Sequence, residues 1–144
     1  MGTNGRHPLV DQAYQTRHDG DRRGALALYM AAAEALKGVD AVAEASALRH
    51  AADLHAELGE PEVARQTYSQ AWALYAALDP APVLDQANCR RPMALWQEQN
   101  GDRAHALGLW REARGLYERA AVATGLDLQP AYEECDRHIA DLSG

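Results

Sequence analysis

The chain has 144 residues, 47% of them hydrophobic and 24% charged, so composition excludes a disordered or collagen-like protein and a single globular domain over residues 1–144 is expected. Seven basic residues face ten acidic ones in residues 1–72, and seven face eleven in 73–144. A formal charge of −7 without a basic arm or stripe leaves nothing to neutralise phosphates, so nucleic acid is excluded as a partner.

Thirty alanines against nine aromatics, and no Phe, favour the residue that best forms helices over those that sheets prefer, so the fold class is all-α. Cys89 and Cys135 are the only cysteines. Two thiols do not make a disulfide framework, and reduced cysteines in a cytoplasmic protein are expected. The opening stretch from Met1 to His7 is polar with no apolar run behind it, and charges interrupt every helical segment, so neither a signal peptide nor a membrane span is expected.

In chain order, the first helix is expected from Pro8 to His18 and the second from Asp21 to Lys37, closed by Gly38. Asp40 caps a third helix from Ala41 to Leu58, and Pro61 stands in the first turn of a fourth that ends near Leu78. Asp79 and Pro80 give the same signal for a fifth helix, running to Gln99 with a kink expected between Asn88 and Pro92. A sixth runs from Asp102 to Thr124 and stops at Gly125. The seventh, from Leu128 to Leu142, sets Ala131, Tyr132, Cys135, Ile139 and Leu142 on one side.

One phrase recurs three times, beginning at Gly20, Gly59 and Gly101. The next residue is acidic each time (Asp21, Glu60, Asp102). Five places on stands alanine (Ala25, Ala64, Ala106), nine on an aromatic (Tyr29, Tyr68, Trp110), twelve on alanine again (Ala32, Ala71, Ala113), and sixteen on Leu36, Tyr75 and Tyr117. Seven places before the glycine come Ala13, Ala52 and Ala94. A glycine closes one helix in the left-handed conformation, the acid suits the positive end of the next, and each copy is therefore a helix-turn-helix hairpin. Small residues let the two backbones approach while the aromatic fills the space between hairpins. A plain bundle with a shared turn sequence is the competing arrangement, but it does not require these columns to stay in register.

The columns resemble the tetratricopeptide repeat consensus, most clearly at Ala52, Gly59, Glu60, Ala64, Tyr68 and Ala71, and the resemblance covers residues 8 to about 124. It departs in repeat length and in lacking the proline that ends a repeat. It implies a right-handed α-solenoid with repeats at about 8–37, 40–78 and 80–124. The helix at about 128–142 then serves as the terminal cap, the alternative being a detachable or partner-exchanging helix.

In that family the first helix of each repeat lines a concave groove. The matching positions here are Val10, Tyr14 and Arg17, then Arg49, Asp53 and Ala56, then Arg91, Leu95 and Glu98. Arg49 and Arg91 share one column, so two guanidiniums suited to a carboxylate are expected there, with Arg90 added if the Pro92 kink turns it inward. Solvation, or pairing with Asp53, Asp85 or Glu98, is the alternative for these arginines. The family's clamp of Lys, Asn and Arg for a chaperone's terminal carboxylate is not matched, because its positions hold Val10, Tyr14, His50, Asn88 and Pro92.

His50 with Asp53, and Cys135 with His138, each offer two metal-ligand types three residues apart. A zinc site needs three or four, so no metal or other cofactor is expected. Ser46, Ser69, Ser143 and Cys89 lie in no nucleophile motif, and no glycine-rich phosphate loop occurs. The expected function is therefore a non-catalytic scaffold that binds a protein or peptide in its groove, with homodimerisation through the repeat ends or last helix as the alternative.

Overall fold

A computed structural model describes residues 6–144. Met1 to Gly5, on which part of the no-leader expectation rests, lie outside the described residues. The chain is all-α: seven helices, α1 (Pro8–His18), α2 (Arg22–Leu36), α3 (Ala41–Glu57), α4 (Pro61–Ala76), α5 (Val83–Gln99), α6 (Arg103–Thr124) and α7 (Gln129–Ser143), with no strand among the described residues. None of them is long and apolar enough to cross a membrane.

Short acidic side chains set the helix starts. The Asp21, Asp40 and Asp102 carboxylates accept from the backbone N–H of Gly24 (2.8 Å), Ala43 (3.1 Å) and His105 (3.1 Å). Asp21 and Asp102 are thus caps, one position outside the helices expected to begin with them. Glu60, a methylene longer, makes no cap; its carboxylate instead lies 2.8 Å from His55 Nδ1. Helix α5 starts at Val83 and not at Pro80, because Pro82 disfavours the helical conformation for Ala81 and thereby overrides the Asp79-Pro80 signal. Pro92 sits inside α5 without ending it.

The three hairpin turns repeat one hydrogen-bonded geometry. Gly20, Gly59 and Gly101 take φ of 94°, 78° and 80°, a region closed to most side chains. The acidic residue after each then donates its N–H back to a helix carbonyl five residues earlier: Asp21 to Thr16 (3.1 Å), Glu60 to His55 (2.9 Å), Asp102 to Gln97 (3.0 Å).

The alanine and aromatic columns of the repeat, and the column sixteen places after the glycine, are buried. Ala13, Ala52 and Ala94 meet no solvent, nor do Ala32, Ala71 and Ala113, and the aromatics Tyr29, Tyr68 and Trp110 lie within the core beside Leu36, Tyr75 and Tyr117. Alanine in these columns allows close helix packing, and the aromatics supply the apolar area that alanine lacks.

The chain divides into two compact units, Met1–Ala77 and Leu78–Gly144. In the first, α1 packs on α2, α2 on α3 and α3 on α4; in the second, α5 packs on α6 and α6 on α7. The division falls between the second and third sequence repeats.

Candidate functional site

In the first unit, α1 and α3 carry the groove positions Val10, Tyr14, Arg17, Arg49, Asp53 and Ala56. Tyr14 is 58% exposed, a large aromatic left in water on the first helix. Its ring stacks on His18, four residues on, with centroids 6.4 Å apart, and the two line an open cleft of about 360 Å³ with Arg17. Arg17 donates to the Glu57 carboxylate of α3, which also accepts from Arg22 Nε at 3.1 Å. That shared carboxylate ties the end of α1 to the end of α3.

Deeper on α3, Arg49 lies 4.0 Å from Asp53, and Asp53 accepts a hydrogen bond from the Tyr68 hydroxyl of α4. Burial pushes the Asp53 carboxyl up from its ordinary value, against the opposing pull of the Tyr68 hydroxyl and the Arg49 charge. His50 stacks on Tyr29 of α2 with centroids 5.0 Å apart and planes 20° from parallel. Burial, reinforced by the Arg49 and Arg17 charges, lowers its imidazole to about 4, so His50 is neutral at pH 7. A neutral ring held against an aromatic serves as packing here. Val10 and His50 also line a second cleft of about 310 Å³ with Ser46 and Val42.

In the second unit the structure commits the groove positions differently. Arg91 grips the Glu134 carboxylate of α7 through two parallel bonds, Nε to one oxygen and Nη2 to the other at 2.8 Å. This bond holds the Glu134 carboxyl below its ordinary value. One oxygen of Glu98 accepts from the buried Trp110 indole N–H and, at 2.7 Å, from His138 Nδ1 of α7. The His138 ring lies flat on Trp110, centroids 4.1 Å apart. Leu95 is half-buried between these two polar contacts along α5. Thus Arg91 and Glu98 both hold α7, and Arg90 bonds Glu112 of α6 at 3.0 Å.

Sequence reasoning did not foresee the Glu98–Trp110–His138 cluster. A signal for it exists: His138-Ile139-Ala140 in α7 repeats the His50-Ala51-Ala52 of α3, a histidine two places before the small residue of the first helix. Because α7 lacks a turn glycine to align on, that correspondence emerges only once both rings are seen on members of the same aromatic column.

The metal-ligand pairs are otherwise engaged. His50 and Asp53 face Tyr29 and Tyr68, and His138 faces Glu98. Among the described residues no three His, Cys, Asp or Glu side chains gather as a metal site would require. Neither thiol forms a disulfide and both are buried, and burial beside the Glu134 and Asp136 charges raises the Cys135 thiol to about 11, far from the thiolate that nucleophilic chemistry uses.

A scan against protein-family models finds no match for this chain, and a search of curated proteins finds none.

Proposed function

We propose that this chain is a tetratricopeptide-like repeat protein, a right-handed solenoid capped by α7, that works in the cytoplasm as a non-catalytic interaction module. Its ligand is a peptide or helix of a partner protein, received on the first-helix face formed by α1 and α3. The recurrence of one hairpin geometry and one set of buried columns supports the repeat reading. The single observation that carries the binding reading is Tyr14, an aromatic anchor left exposed beside Arg17 and His18 where the neighbouring columns of α3 are engaged internally. Arg91 and Glu98 hold α7, so recognition centres on Tyr14 and Arg17, with Arg49 and Asp53 as the adjoining wall.

The test is selection of peptides from a displayed random library on the purified full chain, followed by measurement of their affinity for the Tyr14→Ala/Arg17→Ala variant. The reading expects selected peptides to lose about tenfold or more, the scale of an interface anchor. Peptides that bind the variant equally well overturn it. Self-association is the second reading, favoured by the largely ionic seating of α7, and light scattering across a dilution series separates the two: a mass that stays at 15.7 kDa supports the peptide reading, and a dimer sensitive to Tyr132→Glu replaces it.

A further inference from the structure

The first unit also bears a cleft of about 460 Å³ between α2, α3 and α4. Its apolar lining is Met30 of α2, Leu48 of α3, and Ala73 and Leu74 of α4. Three charged side chains stand around it: Glu34, Glu44 and Lys37. They differ from the other charges of this unit. Asp11 pairs with Arg6, Glu57 with Arg17 and Arg22, Glu60 with His55 and Glu62 with Arg65, while Asp19 accepts from Gln15, Asp53 from Tyr68, and Asp21 and Asp40 from helix N–H groups. The side chains of Glu34, Glu44 and Lys37 alone among the charges of this unit have no hydrogen-bond or ion-pair partner among the described residues, and all three surround this one apolar cleft.

An apolar hollow ringed by charged side chains that make no hydrogen bond or ion pair among the described residues has the layout of an interface, in which a hydrophobic centre excludes water and a polar rim selects the partner. Two carboxylates contributed by different helices, against one ammonium, ask for a predominantly basic ligand. We propose that the cleft is a docking site for a basic amphipathic helix of a partner protein. A leucine-sized or aromatic side chain fills the space over Leu48, and Lys or Arg side chains a turn apart on the incoming helix meet Glu34 and Glu44. Lys37 receives an acidic residue of the same helix and so fixes its direction. The site lies on different helix faces from Tyr14 and Arg17 and stands or falls independently of the recognition face assigned above.

The probe is a synthetic amphipathic peptide of Leu, Lys and Ala, titrated into the isotope-labelled full chain, with a Leu, Glu and Ala counterpart as control. The basic peptide is expected to move the amide resonances of Met30, Leu48, Ala73 and Leu74, and the acidic one to leave them in place. Glu34→Gln/Glu44→Gln should weaken binding about fivefold, the combined scale of two exposed ion pairs. The Asp79→Asn/Glu133→Gln variant removes the same charge elsewhere and should leave affinity unchanged. Ala73→Trp, a substitution at an exposed position of α4, should fill the cleft and abolish binding with the circular dichroism spectrum intact. Equal weakening by the two charge-removing variants, resonance shifts away from the cleft, or indifference to Ala73→Trp would each overturn the proposal. So would a concentration-dependent mass that Ala73→Trp abolishes, since the occupant would then be a second copy.

Discussion

Two histidines lie flat on two aromatics of the same repeat column, one in each unit, and their polar neighbours are opposite in sign, arginines beside one and a carboxylate beside the other. His50 rests on Tyr29 beside the Arg49 and Arg17 charges, which together with burial keep it neutral; His138 rests on Trp110 and hydrogen-bonds Glu98, whose carboxylate also accepts from the indole N–H. The packing slot is therefore set by shape, a flat ring against a flat ring, while the neighbouring polar groups decide whether that ring is a spacer or also a hydrogen-bond partner of a carboxylate. In the first unit the histidine belongs to a hairpin and the hairpin's own apolar columns hold it. In the second it belongs to the lone helix α7, which buries only Cys135 completely and relies on Arg91–Glu134, His138–Glu98 and Arg114–Asp136 for its place.

The comparison breaks most visibly at Trp110. Trp110→Ala removes a fully buried ring, the surface under His138 and a donor to Glu98, and is expected to cost about 3–5 kcal/mol. Denaturant unfolding should show that loss, accompanied by release of α7. Tyr29→Ala gives the matching measurement in the first unit, where no carboxylate loses a partner.

Acid should separate the two histidines next. Unfolded His50 takes a proton near its ordinary value of 6.5 while the folded ring refuses it until about 4. The unfolded state thus binds more protons in that window, and stability falls as pH drops from 6.5 to 4, by about 3 kcal/mol in total. His50→Phe keeps a flat ring on Tyr29 and should flatten this part of the profile of urea midpoint against pH; an unchanged slope would show that His50 titrates normally in the folded chain.

Smaller effects sharpen the picture. Tyr68→Phe strips the hydroxyl donor from the partly buried Asp53 and should cost about 1–3 kcal/mol at pH 7. The loss should shrink as Asp53 becomes protonated at low pH. For Arg91 and Glu134, a double-mutant cycle of Arg91→Ala and Glu134→Gln should return a coupling of about 0.5–1 kcal/mol at low salt, since both side chains remain partly in water. A coupling of zero would mean that the Arg91–Glu134 pair contributes nothing to the seating of α7, leaving His138–Glu98, Arg114–Asp136 and the packing around Cys135 to hold it.

Much of this architecture was legible in the residues. Glycine at a hairpin turn and alanine at a tight crossing are conformational and steric demands, local enough to leave the same mark three times in the chain. Helix limits came within a few residues for the same reason, and the fifth helix missed most because Pro82 outweighs a cap signal three residues upstream. The destinations of long polar side chains were less legible. Nothing in the spacing of Arg91 distinguishes a ligand's carboxylate from Glu134, forty-three positions away in sequence, because a guanidinium on an alkyl stem can reach either. The cleft ringed by Glu34, Lys37 and Glu44 was hidden likewise, since a charge without a partner in the chain is recognised only against the paired ones around it.

The first helices are proposed to supply the recognition surface while the second helices supply the aromatic core. Amide-resonance mapping of a library-selected peptide on the full chain tests this most directly. Perturbations are expected to concentrate at Tyr14, Arg17, Arg49 and Asp53, with the buried columns at Tyr29, Tyr68 and Trp110 quiet. A footprint confined to α2, α4 or α6, with α1 and α3 silent, would contradict it.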